Sequence, residues 1–258
     1  MKPEAERSVY ELTRCALPLA FAETAADNEE ALRLLSKALA MDGGSPTTNA
    51  LAAWCHQQRH LMDWPPATEH SRREAVRLAH VAIANGSDVA LALAVAGVVC
   101  AVLTRDHDTA LAAVDRASML NPTAAIILGF DALTQCLCAA YTKAIERAER
   151  ALQLSPFEPL AYHAALALAL AHLLSGRADA AIAYAHRAIE GNRNFALSYC
   201  ALALCHARLG RVDQAEQAVR QLAQAAPGFH LRSLRRMGWA DAAHLLSDLE
   251  LLCAHIPD

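Results

Sequence analysis

One helical segment recurs six times along the chain, and this recurrence limits the possible folds more than any other feature. The segment AIERAERALQLSP starts at Ala144. Related segments start at Ala31, Ala75, Ala110, Ala181 and Ala215. Successive starts are 44, 35, 34, 37 and 34 residues apart. A period near 34 residues is typical of solenoids built from pairs of antiparallel helices. We therefore predict an all-α chain of about six helix-turn-helix repeats.

The period also predicts the limits of the repeats and of a different C-terminal region. The repeats fall at approximately 4–44, 45–87, 88–121, 122–156, 157–193 and 194–228. Residues 229–258 break the pattern and hold one more amphipathic segment, roughly Ala240 to Ala254, which follows Trp239. A last helix with a polar outer face is typical of the cap that closes a solenoid. We therefore predict a C-terminal capping helix in this region.

The longest interval, 44 residues, indicates an insertion in the second repeat. About ten residues beyond the period lie in one loop, which contains Asp63-Trp64-Pro65-Pro66. Insertions in solenoids map to loops on one face and often carry function. Because aromatic residues dominate binding hot spots, Trp64 is a candidate partner contact. The alternative for this loop is a neutral surface insertion. Trp54 is another large aromatic residue of the second repeat, and for it the alternative to partner binding is core packing between the first two repeats.

Composition argues against two classes of partner. The net charge is −4 and the pI about 6.3, without a basic stripe, so we expect no direct nucleic-acid partner. The most apolar run, Ala165 to Leu174, is shorter than the roughly 20 residues of a membrane span. We read it as a buried helix and expect no membrane association.

The cysteines and the N-terminus indicate the expected compartment. Eight cysteines are scattered, many of them within Ala- and Leu-rich helices, unlike the framework of a disulfide-rich secreted domain. Met1-Lys2-Pro3-Glu4 leads into a polar helix rather than the apolar core of a signal peptide. We therefore expect a cytoplasmic protein.

The spacing within the recurring segment resembles the tetratricopeptide repeat. In that family a small residue is followed by a bulky residue, then alanine, then proline. Ala110, Val114, Ala117 and Pro122 match this spacing, and the segment from Ala144 to Pro156 follows it with alanine at the bulky position. The resemblance implies a right-handed superhelix in which the first helix of each pair lines a concave face. It also implies a non-enzymatic scaffold for protein–protein interaction.

A narrower resemblance involves bacterial multidomain regulators. The stretch NALAAWCHQQR, the Trp-Pro-Pro loop, EAVRLAHVAI and ALAAVDRASMLNP look like the tetratricopeptide region that follows a class III adenylate/guanylate cyclase or a winged-helix domain in such chains. Neither module occurs in this sequence. The resemblance implies a bacterial regulatory domain, and as an alternative function a signal-sensing region detached from a cyclase or transcription regulator.

The residues expected on the concave face are almost all apolar. They are Val95, Val99, Ile126, Leu133, His163, Leu166, Leu170, Leu197 and Leu204. Family members that bind chaperones place Lys, Arg and Asn there to hold a terminal carboxylate, and such cationic donors do not occur at these positions. The groove therefore suits an apolar partner such as an amphipathic helix. Alternatively, a terminal helix of the chain or a second subunit closes it, since an open apolar groove of this length favours aggregation.

Candidate catalytic and metal sites are weak. His56 and His60 are four residues apart on one helix, with Cys55 adjacent, a spacing that could hold zinc. Gln57 stands where a metalloprotease helix has glutamate. Serine, cysteine and histidine occur in no recognisable nucleophile motif, and there is no glycine-rich phosphate loop. We therefore expect no enzymatic activity, no metal and no cofactor, and a protein or peptide partner or a homo-oligomer.

Overall fold

The computed structural model describes residues 7–65, 69–227, 229 and 234. All of the regular secondary structure in these residues is helical. The first helices of six consecutive pairs are α1 Val9–Ala20, α3 Pro46–Leu61, α5 Ala90–Leu103, α7 Ala125–Leu137, α9 Ala161–Leu174 and α11 Ala196–Arg208. The second helices are α2 Ala25–Met41, α4 Glu69–Asn85, α6 His107–Leu120, α8 Tyr141–Leu154, α10 Ala178–Gly191 and α12 Val212–Ala225. The predicted all-α fold of six helix pairs is confirmed. The capping helix and Trp239 lie outside the described residues.

The helix pairs fall into two compact units, Met1–Pro122 and Thr123–Asp258. In the first unit α3 packs against its own partner α4 and against α1, α2 and α5. In the second unit α9 packs against its partner α10 and against α7, α8 and α11. Within each unit, therefore, a hairpin contacts its neighbours along the chain, as stacked repeats do. None of the described helices has both the length and the apolarity that a bilayer-spanning segment requires.

The second helices bury a narrow stripe of small residues. In α8 this stripe is Ala144, Ala148 and Ala151, each at most 2% exposed, with Leu152 beside them. Residues spaced by three and four lie on one face of a helix, and alanine allows close approach of the neighbouring helices. The spacing of these alanines in the sequence therefore places them on one face of α8, and that face is the buried one.

The first helices α3, α5, α7, α9 and α11 are buried on most of their faces, whereas α1 buries only four residues. Every residue of α9 from Tyr162 to Ala171 is buried, and so is every residue of α5 from Ala92 to Leu103. A helix that is apolar on all faces requires neighbours on all sides, and α9 has four helices around it. The valines of α5 disfavour a helix intrinsically, so this packing overrides local propensity.

The turn inside each hairpin contains one residue with left-handed backbone geometry. Gly176 (φ +77°) and Gly210 (φ +68°) occupy this position in the last two hairpins, and they are 34 residues apart, which is the repeat period. The first four hairpins use residues with a side chain instead: Glu23, Asp63, Arg105 and Ala139, with φ between +51° and +62°. Left-handed geometry costs such residues roughly 1–2 kcal/mol, which the packing of the flanking helices must offset.

Candidate functional site

The Trp64 loop, residues 62–65, is where the inserted segment of the second repeat leaves α3. The backbone N–H of Met62 donates to the Gln58 carbonyl at 2.8 Å, and that of Trp64 donates to the Arg59 carbonyl at 3.1 Å. Asp63 between them has φ +51°. These bonds terminate the helix and fix the backbone of Trp64, whose side chain is half-buried, while Pro65 is exposed. The loop therefore presents part of an indole surface at a defined position.

The concave positions predicted from the period are mostly buried within the chain. In the first unit Val95 and Val99 are fully buried on α5. In the second unit only Ile126 is half-buried, whereas the others are at most 6% exposed: Leu133, His163, Leu166, Leu170, Leu197 and Leu204. A partner that contacts these side chains directly requires that they first become accessible.

His163 belongs to an aromatic cluster rather than to a polar site. Its ring centroid lies 4.0 Å from that of Tyr162, 4.7 Å from Phe130 and 5.5 Å from Phe195. Its Nδ1 lies 3.2 Å from the Leu160 carbonyl oxygen. Burial lowers the pKa of His163 to about 3, so the imidazole is neutral at physiological pH. It contributes packing between α7, α9 and the segment before α11.

The first unit contains a buried polar cluster beneath an aromatic pair. Phe21 and Trp54 have ring centroids 5.2 Å apart, and Trp54 is only 1% exposed, as expected for core packing. Next to them the amide of Gln58 donates to Glu23 Oε1 at 2.9 Å. Glu23 is 5% exposed, and its Oε2 accepts no hydrogen bond from the described residues. Burial raises the pKa of the Glu23 carboxyl to about 8, against an opposing effect of the Gln58 hydrogen bond.

The possible zinc ligands on α3 do not form a metal site in the described residues. Cys55 is fully buried, and burial raises the pKa of its thiol far above the ordinary value. Burial, followed by the positive charge of Arg59, lowers the pKa of His56 to about 4. Across residues 7–65 and 69–227, no three His, Cys, Asp or Glu side chains converge as metal ligands would.

An ion pair between a fully buried carboxylate and a half-buried guanidinium links α7 and α8. Arg147 Nε lies 3.1 Å from Asp131 Oδ2, and the Asp131 side chain is fully buried. The Gln135 amide donates to Asp131 Oδ1 at 2.9 Å. A buried carboxylate needs such compensation, so this arrangement explains a charge inside an otherwise apolar helix.

Phe157 is an exposed aromatic residue whose role the sequence did not reveal. In the sequence, Phe157-Glu158-Pro159 accounts only for the interval of 37 residues. In the structure the Phe157 side chain is 94% exposed, more than any other large hydrophobic residue among those described. Spacing alone could not have distinguished an exposed phenyl group from a buried one.

Residues 172–237 match the family model for the tetratricopeptide repeat. A comparison with curated protein sequences finds no match. Among solved structures, PilW, a widely conserved type IV pilus biogenesis factor, superposes with a TM-score of 0.53 at 19% identity. That superposition covers 77% of this chain and 91% of PilW.

Two longer proteins share the fold over part of their length. The APC/C hetero-tetramer Cut9–Hcn1 gives a TM-score of 0.57 at 14% identity, over 95% of this chain and 46% of that one. Human IFIT1, solved as a dimer with PPP-AAAA, gives 0.57 at 17% identity, over 76% of this chain and 46% of that one. At such identities the likeness shows the fold alone. The chain therefore has an all-α fold of the tetratricopeptide-repeat type, a type that generally mediates protein–protein interaction.

Proposed function

We propose that this chain is a non-enzymatic scaffold that binds a protein or peptide partner, with the Trp64 loop as the primary contact. The observation that carries the proposal is the half-buried indole of Trp64, held on a hydrogen-bonded loop at the end of α3. A large aromatic side chain with fixed backbone loses little entropy when a partner covers it. The tetratricopeptide-type fold supports the same kind of function.

The apolar faces of the first helices are the second proposed contact. Of the concave positions, only Ile126 is half-buried, so it is the one a partner meets first. The remaining positions, such as Leu166 and Leu170, would take part only after local opening of the present packing. An amphipathic helix that supplies equivalent apolar contacts is the partner chemistry that fits.

Quantitative affinity capture from the source cells tests the role of Trp64. Wild-type protein, Trp64→Ala and Tyr10→Ala serve as baits, because Tyr10 is also aromatic and is 68% exposed on α1. We expect a defined set of proteins to bind wild type and Tyr10→Ala, and to be reduced at least about tenfold with Trp64→Ala. Equal capture by wild type and Trp64→Ala would reject the Trp64 loop as the contact.

A signal-sensing region related to cyclase or winged-helix regulators is the second candidate function. The resemblance of the Trp-Pro-Pro loop and the flanking helices to those regulators supports it. The reading frame upstream of Met1 in the genome distinguishes the candidates. A cyclase or winged-helix module encoded there favours a regulatory region, and an unrelated gene ending immediately before Met1 counts against it.

A further inference from the structure

Phe157 lies in a hydrogen-bonded turn between α8 and α9, and its side chain is exposed. The Glu158 N–H donates to the Ser155 carbonyl at 3.3 Å, and the Ala161 N–H donates to the Glu158 carbonyl at 2.8 Å. Arg187 Nη2 also donates to the Pro156 carbonyl at 3.4 Å, which ties the turn to α10. Leu154, at the end of α8, is 44% exposed nearby. The turn therefore displays an apolar knob, formed by Phe157, and a buried aromatic side chain of this size can contribute strongly to a protein–protein contact.

A pocket with an apolar wall lies at the C-terminal end of α9, whereas Phe157 precedes its N-terminal end. We call it the α9–α10 pocket; Leu173, Leu174 and Leu209 form its apolar wall, and its volume is about 710 Å³. Arg177, Asp179 and Arg208 stand around it. Asp179 is already paired with Arg211 at 3.0 Å. The side chains of Arg177 and Arg208 have no ion-pair partner within the described part of the chain, so the pocket has a positive rim.

The knob and the pocket belong to the same unit but cannot meet within one molecule. Residue 157 precedes the N-terminus of α9, whereas the pocket lies at its C-terminus. A helix of 14 residues is about 21 Å long, which separates the two features. Contact between them therefore requires two copies of the chain.

We propose that the chain self-associates head to tail, with Phe157 of one copy inserted in the α9–α10 pocket of the next. The phenyl ring packs against the leucines of the pocket wall, and the adjacent Glu158 carboxylate faces Arg177 and Arg208. The opposite charges of Glu158 beside Phe157 and of Arg177 and Arg208 on the pocket rim favour a second copy of the chain as the occupant. Because the two surfaces differ, the contact is heterologous and produces open chains, or rings where the rotation closes.

Sedimentation of the full chain over a concentration series tests this proposal. We expect the average mass of wild type to rise with concentration, and Phe157→Ser to weaken association about thirtyfold. Met119→Ser is the matched control, because Met119 is 68% exposed on α6 and lies outside the proposed contact. A monomeric wild type at all concentrations, or equal weakening by Met119→Ser, would overturn the proposal.

Charge reversal supplies a second, independent arm. Glu158→Arg should weaken association, and the triple variant Glu158→Arg, Arg177→Glu, Arg208→Glu should restore it. A triple variant that associates no better than Glu158→Arg contradicts the proposed pairing. Arg177 and Arg208 are exposed and Glu158 is half-buried outside the helices, so circular dichroism should show unchanged helix content. Trp64→Ala should associate as wild type does, which separates this contact from the proposed partner site.

Discussion

The first and the second helices of the hairpins have similar lengths but opposite relations to the core. In α9 nearly all side chains are buried, whereas α8 buries four: Ala144, Ala148, Ala151 and Leu152. From the second hairpin onwards the first helices thus supply most of the core volume within each unit, and the second helices contribute mainly small buried residues. The first hairpin differs, because α1 buries four residues and α2 buries six, three of them leucines. The recurring segment is therefore the feature that is easiest to find in the sequence, but it covers the core rather than forming most of it.

The largest expected effect comes from shortening a leucine in a first helix. Leu166→Ala in α9 should destabilise the protein by about 2–5 kcal/mol, because it leaves a cavity among fully buried neighbours. The matched change in a second helix, Leu154→Ala in α8, should stay within about 0.5 kcal/mol, since that side chain is 44% exposed. Denaturant unfolding followed by circular dichroism measures both. Similar losses for the two variants would break the distinction between the helices.

The next largest expected effect on stability concerns α3, a first helix that buries polar side chains as well as aliphatic ones. It buries Gln57 and Gln58, and Gln58 bonds the carboxyl of Glu23. The folded-state pKa of Glu23 is about 8, against an ordinary value of 4.5, so between these pH values the folded chain retains a proton that the unfolded chain releases. Stability due to this group is therefore lost as pH rises from about 4.5 to 8.

Glu23→Gln tests this sign directly. The variant should be more stable than wild type at pH 8, by on the order of a few kcal/mol, and the difference should vanish towards pH 4. Glu30→Gln is the control, because Glu30 is an exposed partner of Arg33 on α2. A pH-independent difference between Glu23→Gln and wild type would show that folding does not raise the pKa of Glu23.

Local features of the sequence were sufficient to predict the helix pairs and part of the turns. The alanine spacing of α8 and the turns at Gly176 and Gly210 depend on residues close in sequence, which is why they could be read directly. The left-handed residues Arg105 and Ala139 carry no comparable signal, since the packing of the flanking helices imposes their geometry.

The candidate site was less predictable because it depends on contacts between distant residues. Glu23 and Gln58 are 35 positions apart, and neither belongs to a motif. The period assigned Leu166 and Leu170 to a concave face, but it could not show how completely they are buried. In the sequence Phe157 only lengthens one interval between repeats, and its exposure is visible only in the structure.

The smallest expected effects on stability come from glycine-to-alanine substitutions, which test how closely the two helices of a hairpin approach each other. A Cβ at Gly97 of α5 would lie 2.7 Å from Val114 Cγ1 and 3.1 Å from the Ala110 carbonyl oxygen of α6. Val114 is fully buried and β-branched, so it cannot move aside easily. Although alanine favours a helix by about 1 kcal/mol over glycine, we expect Gly97→Ala to destabilise by about 1–3 kcal/mol.

Gly129 of α7 is the matched position without such crowding. A Cβ there would meet Ala164 at 3.7 Å, an ordinary van der Waals contact. Gly129→Ala should therefore stabilise the chain by about 0.5–1 kcal/mol through helix propensity alone. Thermal unfolding of the two variants should give shifts of opposite sign. If both shifts were positive, α5 and α6 would have room to separate, and glycine at position 97 would not be required for their contact.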